Sequence, residues 1–120
     1  MGTNQGARAF RSQGNPDFVT ADATTMVIDD SAYAVIATCT SSQNVDVIST
    51  AWYRGRQIRV KSAAGSSANI TFRDDQAGTN LILIGSVVAL GAHDSVEFMA
   101  DYDSSGNEMW VQSMGLCNIS

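Results

Sequence analysis

From about residue 24 onward the chain alternates short apolar runs with clusters of turn residues. The runs read "TTMVID", "AYAVIATC", "NVDVIS", "QIRVKS", "NITFR", "NLILIG", "SVVAL", "DSVEFMAD" and "EMWVQS"; between them stand "TSSQN", "AAGSSA", "DDQAGT", "GAHD" and "DSSGN". Apolar and polar residues exchange at every second position in many of these runs, the period of a strand with one buried face. The spacing predicts roughly eight or nine strands of about five residues, as in an all-β sandwich or barrel. Parity then sends Val45, Val47, Ile58, Val60, Ile70, Phe72, Val96, Phe98 and Trp110 to the core.

"LILI" breaks the alternation. A strand apolar on both faces is either covered on both sides or packed against another subunit, since a small monomer seldom leaves such a stripe in water. Leu81, Ile82, Leu83 and Ile84 are therefore expected at a subunit interface, and Met99 and Met109, opposite the inward residues of their strands, support an oligomer. No repeat of fixed period is visible.

The opening "MGTNQGARAFRSQGNPDF" has neither strand nor helix period. Residues 1–20 read as an extended arm and residues 21–120 as a single β-domain. Such an arm cannot bury enough apolar area to fold alone, so it is either mobile or ordered by lying on something else. Phe10 and Phe18 are its natural anchors, and Arg8 and Arg11 against Asp17 make it slightly positive.

Composition agrees with strands. Of the 120 residues 44% are hydrophobic and only 16% charged, which suits one compact domain, and no stretch carries apolar residues at helical spacing. A net charge of −5 disfavours nucleic acid as a partner, because phosphate neutralisation needs a basic face. The local exception is "YRGRQIRVK". There Arg59 and Lys61 share the face opposite Ile58 and Val60, either as a solvated outer surface or as a basic strip that pairs with acidic side chains of a neighbouring subunit or a partner surface. No apolar run reaches the length of a membrane span, and the first residues lack the apolar core of a secretion signal, so synthesis in the cytoplasm with no membrane partner is expected. Cys39 and Cys117 lack metal-ligand spacing and are expected as thiols in that compartment.

Candidate chemistry is sparse. "DYDSSGNEMW" places Asp101, Asp103, Ser105 and Gly106 like the first half of a calcium loop, but Gln112 stands where that loop needs a bidentate Glu. A hairpin turn is the simpler reading, and no metal or cofactor is expected. His93, the one histidine, sits in a turn between Ala92 and Asp94 with no partner base, and Asp74 and Asp75 end a strand. Glycines are dispersed rather than gathered into a phosphate loop. Trp52, Tyr53 and Arg54 offer an aromatic and cationic platform for a glycan, or pack a strand end.

The succession "RGRQIRVKS", "ANITFRDDQAGTNLILIG" and "VALGAHDSVEFMADYDSSGNEMW", roughly residues 44 to 112, resembles a β-sandwich module of tailed-bacteriophage virion proteins. His93 departs from the pattern, standing where glycine is common. The resemblance implies a single jelly-roll-like antiparallel β-sandwich with an extended N-terminal arm, commonly assembled as a homotrimer. It implies a capsid decoration (cement) protein on the outer surface of the virion. The major capsid protein would be its partner, Arg8, Phe10, Arg11 and Phe18 would lie on the lattice, and the "LILI" strand with Arg59 and Lys61 would join the subunits. A short arm plus a compact body suits a non-enzymatic clamp. The alternative is a tail- or head-fibre module that binds a carbohydrate or host receptor through Trp52, Tyr53 and Arg54.

Overall fold

The computed structural model describes residues 16–63 and 68–118, the last five of these by backbone alone. The strands are β1 (Asp17–Thr20), β2 (Thr25–Val27), β3 (Ala34–Thr38), β4 (Gln43–Val45), β5 (Val47–Ser49), β6 (Gln57–Ser62), β7 (Ile70–Arg73), β8 (Leu81–Ile82), β9 (Val87–Leu90), β10 (Asp94–Tyr102) and β11 (Glu108–Asn118). The protein is all-β, with no helix among the described residues.

The strands form a six-stranded sheet in the order β1-β3-β6-β10-β11-β8, a three-stranded sheet β4-β7-β9 and a pair β2-β5. The expected antiparallel pairing fails over most of it. β1 with β3, β3 with β6, β2 with β5, β4 with β7 and β8 with β11 all run parallel, and only β6 with β10, β10 with β11 and β7 with β9 run antiparallel. Parallel neighbours need a crossover. From β1 to β7 each crossover passes through strands of the other sheets. The chain passes from β3 to β4 to β5, returns as β6 beside β3, and then lays β7 beside β4, a solenoid-like stacking of coils. β9 and β10 fold back antiparallel on β7 and β6, and β11 then pairs with β10.

Side chains from all three sheets meet in one core. Val45, Ile58, Val60, Ile70, Phe72, Val96, Phe98 and Trp110 are buried as parity predicts, with Phe72 and Phe98 edge to face at 5.2 Å between sheets. Each such side chain contributes about 1.5–3 kcal/mol by leaving water. Val47 is the exception, half-buried while Ile48 is enclosed. "NVDVIS" is two strands and not one: the chain turns a corner at Asp46, and parity restarts beyond it. Thr24 O accepts from Asp46 N and Val47 N at that corner, and the Asp46 carboxylate receives both Nε and Nη2 of Arg73 at 2.8 Å.

"LILI" is also corrected. Leu81 and Leu83 are buried inside this chain, Ile82 is half-buried and Ile84 is 65% exposed. The segment therefore alternates after all, and only Ile82 and Ile84 remain for contact with another copy.

Candidate functional site

A cleft of about 460 Å³ opens between the loop Asp30–Tyr33 and the turn Tyr53–Gln57. The turn closes through Arg56 N donating to Tyr53 O at 3.0 Å, with Gly55 in its third position at φ 91°, a conformation that glycine adopts without penalty. Gly55 N is anchored on Ala100 O at 2.8 Å, which ties the turn to β10.

Both walls hang on one side chain. Arg56 is 4% exposed, and its guanidinium donates to Thr50 Oγ1 at 2.9 Å, to Ala51 O, to Asp29 O at 3.2 Å and to Ala32 O at 2.8 Å. It also lies over the Trp110 ring, 5.7 Å from the centroid, where a cation is attracted by the ring face. Sharing a buried charge among four oxygens offsets its loss of hydration. Nothing in charge counting finds this residue, but parity does. Arg56, Ile58, Val60 and Ser62 occupy alternate positions of one run, and all four are buried.

The neighbouring loop is held by its own acids. The Ser31 hydroxyl and Ser31 N both donate to Asp29 Oδ1, at 2.7 and 2.9 Å, and these bonds hold the Asp29 carboxyl below its ordinary value. Asp29 N donates to Asp17 Oδ2 at 2.8 Å, linking the loop to β1. Asp30 Oδ1 accepts Ala51 N at 2.7 Å. At the far end of the same loop the Tyr33 hydroxyl donates to Glu97 Oε2 at 2.8 Å, and this bond, with burial and the nearby negative charge, raises the phenol above its ordinary value.

The three residues read as a glycan platform are divided. Trp52 packs partly buried against the core, donates Nε1 to Met109 O at 3.0 Å and tilts against Tyr102 with centroids 5.0 Å apart. It lines a second cleft of about 280 Å³ with Thr50, Asn80, Glu108 and Trp110. Tyr53, 63% exposed, lines the first cleft. Arg54 Nε meets Asp101 Oδ1 at 3.0 Å in an exposed pair, an arrangement that contributes little to stability.

Of the attachment residues, Arg8, Phe10 and Arg11 lie outside the described residues. Phe18 is in β1, in register with Ile36 of β3, and 75% exposed. Arg59 and Lys61 lie half-buried on β6, where Arg59 is in register with Glu97 of β10.

"DYDSSGNEMW" is a hairpin turn between β10 and β11. Asp103 Oδ1 accepts Ser105 N and Asn107 N, Oδ2 accepts Asn107 Nδ2, and Gly106 takes φ 84°. The carboxylate that a calcium ion would need is engaged by the turn's own donors. His93 holds φ 70° in the turn before β10, in the left-handed region that glycine adopts most readily. Asp74 Oδ2 accepts Leu83 N at 2.8 Å, a structural bond. Cys39 is buried just after β3.

Comparison with protein-family models, with curated proteins and with solved structures finds no match.

Proposed function

We propose that this chain is a structural, non-enzymatic virion protein, a capsid decoration protein that fastens to the outer lattice of a phage-type shell through the segment entering β1. The observation that carries the reading is Phe18. A phenylalanine 75% exposed on the edge strand of the main sheet is an apolar anchor that no described residue covers. The bonding of the polar groups supports a scaffold role, because buried Arg56, half-buried Asp46 and the hairpin residue Asp103 all spend their bonds on holding loops and corners. The role needs a rigid body with an attachment strand at one edge, so it does not depend on the jelly-roll connections that the resemblance implies. Bridging neighbouring major capsid subunits stabilises the assembled shell over the opened one by linkage, and three copies joined through Ile82, Ile84, Arg59 and Lys61 add avidity.

The test is co-sedimentation with shells assembled from the major capsid protein of the same virus, using the full chain, a chain lacking residues 1–16, and Phe18→Ser. Both variants are expected to stay in the supernatant while the full chain pellets. Equal pelleting of all three would overturn the attachment reading. Native mass measurement is expected to give a trimer, and a monomer would remove the subunit contact.

A further inference from the structure

The cleft over Arg56 carries groups that the fold does not use. Asp30 commits Oδ1 to Ala51 N and, at 3.5 Å, to the Thr50 hydroxyl, and Oδ2 accepts from no described residue; the Gln57 amide and the Tyr53 hydroxyl make no hydrogen bond to the described residues. These three side chains are exposed around one concavity whose volume lies within the range of small-molecule sites. A carboxylate oxygen, a primary amide that both donates and accepts, and an exposed aromatic ring are complementary to a sugar. The first two take hydroxyls, and the ring face takes the apolar side of a pyranose.

Charge narrows the class. Arg56 is the cation nearest the cleft, but its guanidinium is already shared among Thr50, Ala51, Asp29 and Ala32. Asp30 adds negative charge at the rim of a protein that is already acidic. An anionic sugar would be repelled by Asp30, and Arg54, the exposed cation of the same turn, is paired through Nε with Asp101 and does not line the cleft. We infer that the cleft between Asp30–Tyr33 and Tyr53–Gln57 binds a neutral saccharide. Binding there is separate from attachment through β1, so the two readings stand or fall independently. Because Arg56 fixes both walls from below, the site is preformed, and binding needs no ordering of the turn.

The experiment is titration of the ¹⁵N-labelled full chain with glucose, galactose, mannose, N-acetylglucosamine, lactose and cellobiose, with glucuronic and sialic acids as charged comparisons. At least one neutral sugar is expected to shift the Gly55, Arg56 and Gln57 amides at concentrations up to roughly 50 mM. Tyr53→Ala and Gln57→Ala should each weaken that binding by about tenfold or more. Both side chains are exposed, so the variants keep the fold, and their unperturbed spectra elsewhere would show it. Removal of residues 1–16 should leave sugar binding unchanged. The inference is overturned if no neutral sugar moves these amides, if glucuronic or sialic acid binds as well as the best neutral sugar, or if Tyr53→Ala and Gln57→Ala bind like the parent chain.

Discussion

The side-chain amide of Asn80 bonds the backbone of Ile48 in both directions: Ile48 N donates to Oδ1 at 2.9 Å, and Nδ2 donates to Ile48 O at 2.8 Å. β5 has β2 on one side, and on the other this amide stands where the peptide of a next strand would stand. Asn80 O accepts Trp110 N at 2.7 Å, so a single residue ties the two-stranded sheet to β11. Ile48 is 2% exposed, which leaves its backbone groups little water to turn to.

Removing that amide orphans two backbone groups at once. Asn80→Leu is expected to cost roughly 2–6 kcal/mol, given about 1–3 for each of the two buried groups left unsatisfied. Asn80→Asp keeps the acceptor and loses the donor at neutral pH, setting a carboxylate against the Ile48 carbonyl. It should recover part of the loss in acid, where a protonated carboxyl can donate. Urea midpoints at neutral and acid pH read both effects, and an unchanged midpoint for Asn80→Leu would show that the amide is incidental.

Arg56 governs the walls of the cleft. Arg56→Met retains the length of the side chain and contact with Trp110, but strands the carbonyls of Ala32 and Ala51, while Asp29 O keeps Ala32 N at 3.1 Å and Thr50 Oγ1 at 3.3 Å. The expected loss is roughly 2–4 kcal/mol. Arg56→Lys should restore only part of it, because a compact ammonium cannot span both loops as the planar fork does. Thermal unfolding gives the ranking, and amide exchange should show protection lost first in residues 29–32 and 50–51. Full rescue by lysine would mean that charge and not fork geometry holds the loops.

Faces were legible in the sequence, and partners were not. Alternation located Ile58, Val60, Ile70, Phe72 and Phe98 in the core because burial selects one side of a strand whatever lies beside it. It carries no information on whether the neighbour runs parallel. The coil also hides itself. Asp17 pairs with Val35, Thr25 with Val47, Ala34 with Arg59 and Gln43 with Ile70, so the offset between partners widens along the chain and no fixed period repeats. By pattern alone β1 belongs with the arm, because its four residues, Asp17–Thr20, hold only two large apolar side chains and gain their order from β3. In the cleft, Tyr53 was legible as an exposed aromatic. Asp30 and Gln57 were not, since a loop acid and a strand-end amide acquire meaning only when folding sets them beside Tyr53.

His93 gives a backbone test. Its φ of 70° is uncommon for a residue with a Cβ, while its N–H bond to Ser62 O at 3.2 Å would be kept by any residue except proline. His93→Gly should leave stability unchanged or raise it by up to about 1 kcal/mol. His93→Val should lower it by about 1–2 kcal/mol, because a β-branched side chain tolerates the left-handed region poorly. The ordering glycine, histidine, valine in melting temperature is the expected outcome, and valine equal to glycine would contradict the assigned turn.

The hairpin at Asp103 sets an acid limit. The Asn107 side chain, then Asn107 N, with Ser105 N and Gly106 N behind them, hold its carboxyl below the ordinary value. A group whose value is lower in the folded state than in the unfolded chain stabilises fully above the unfolded value, near about 3.9, and loses that contribution as the pH falls through the folded value. Asp103→Asn removes the charge that those donors meet. The variant should be less stable than the parent at neutral pH, and the gap should close as the parent's own carboxylate is protonated. Asp29, held low by Ser31, and Asp101, held low by Tyr102 N and Arg54, persist in both proteins, so only the difference between the two curves reports Asp103. Denaturant unfolding across a series from neutral to acid pH supplies those curves, and a constant gap down to the lowest pH would show that the Asp103 bonds do not depend on its charge.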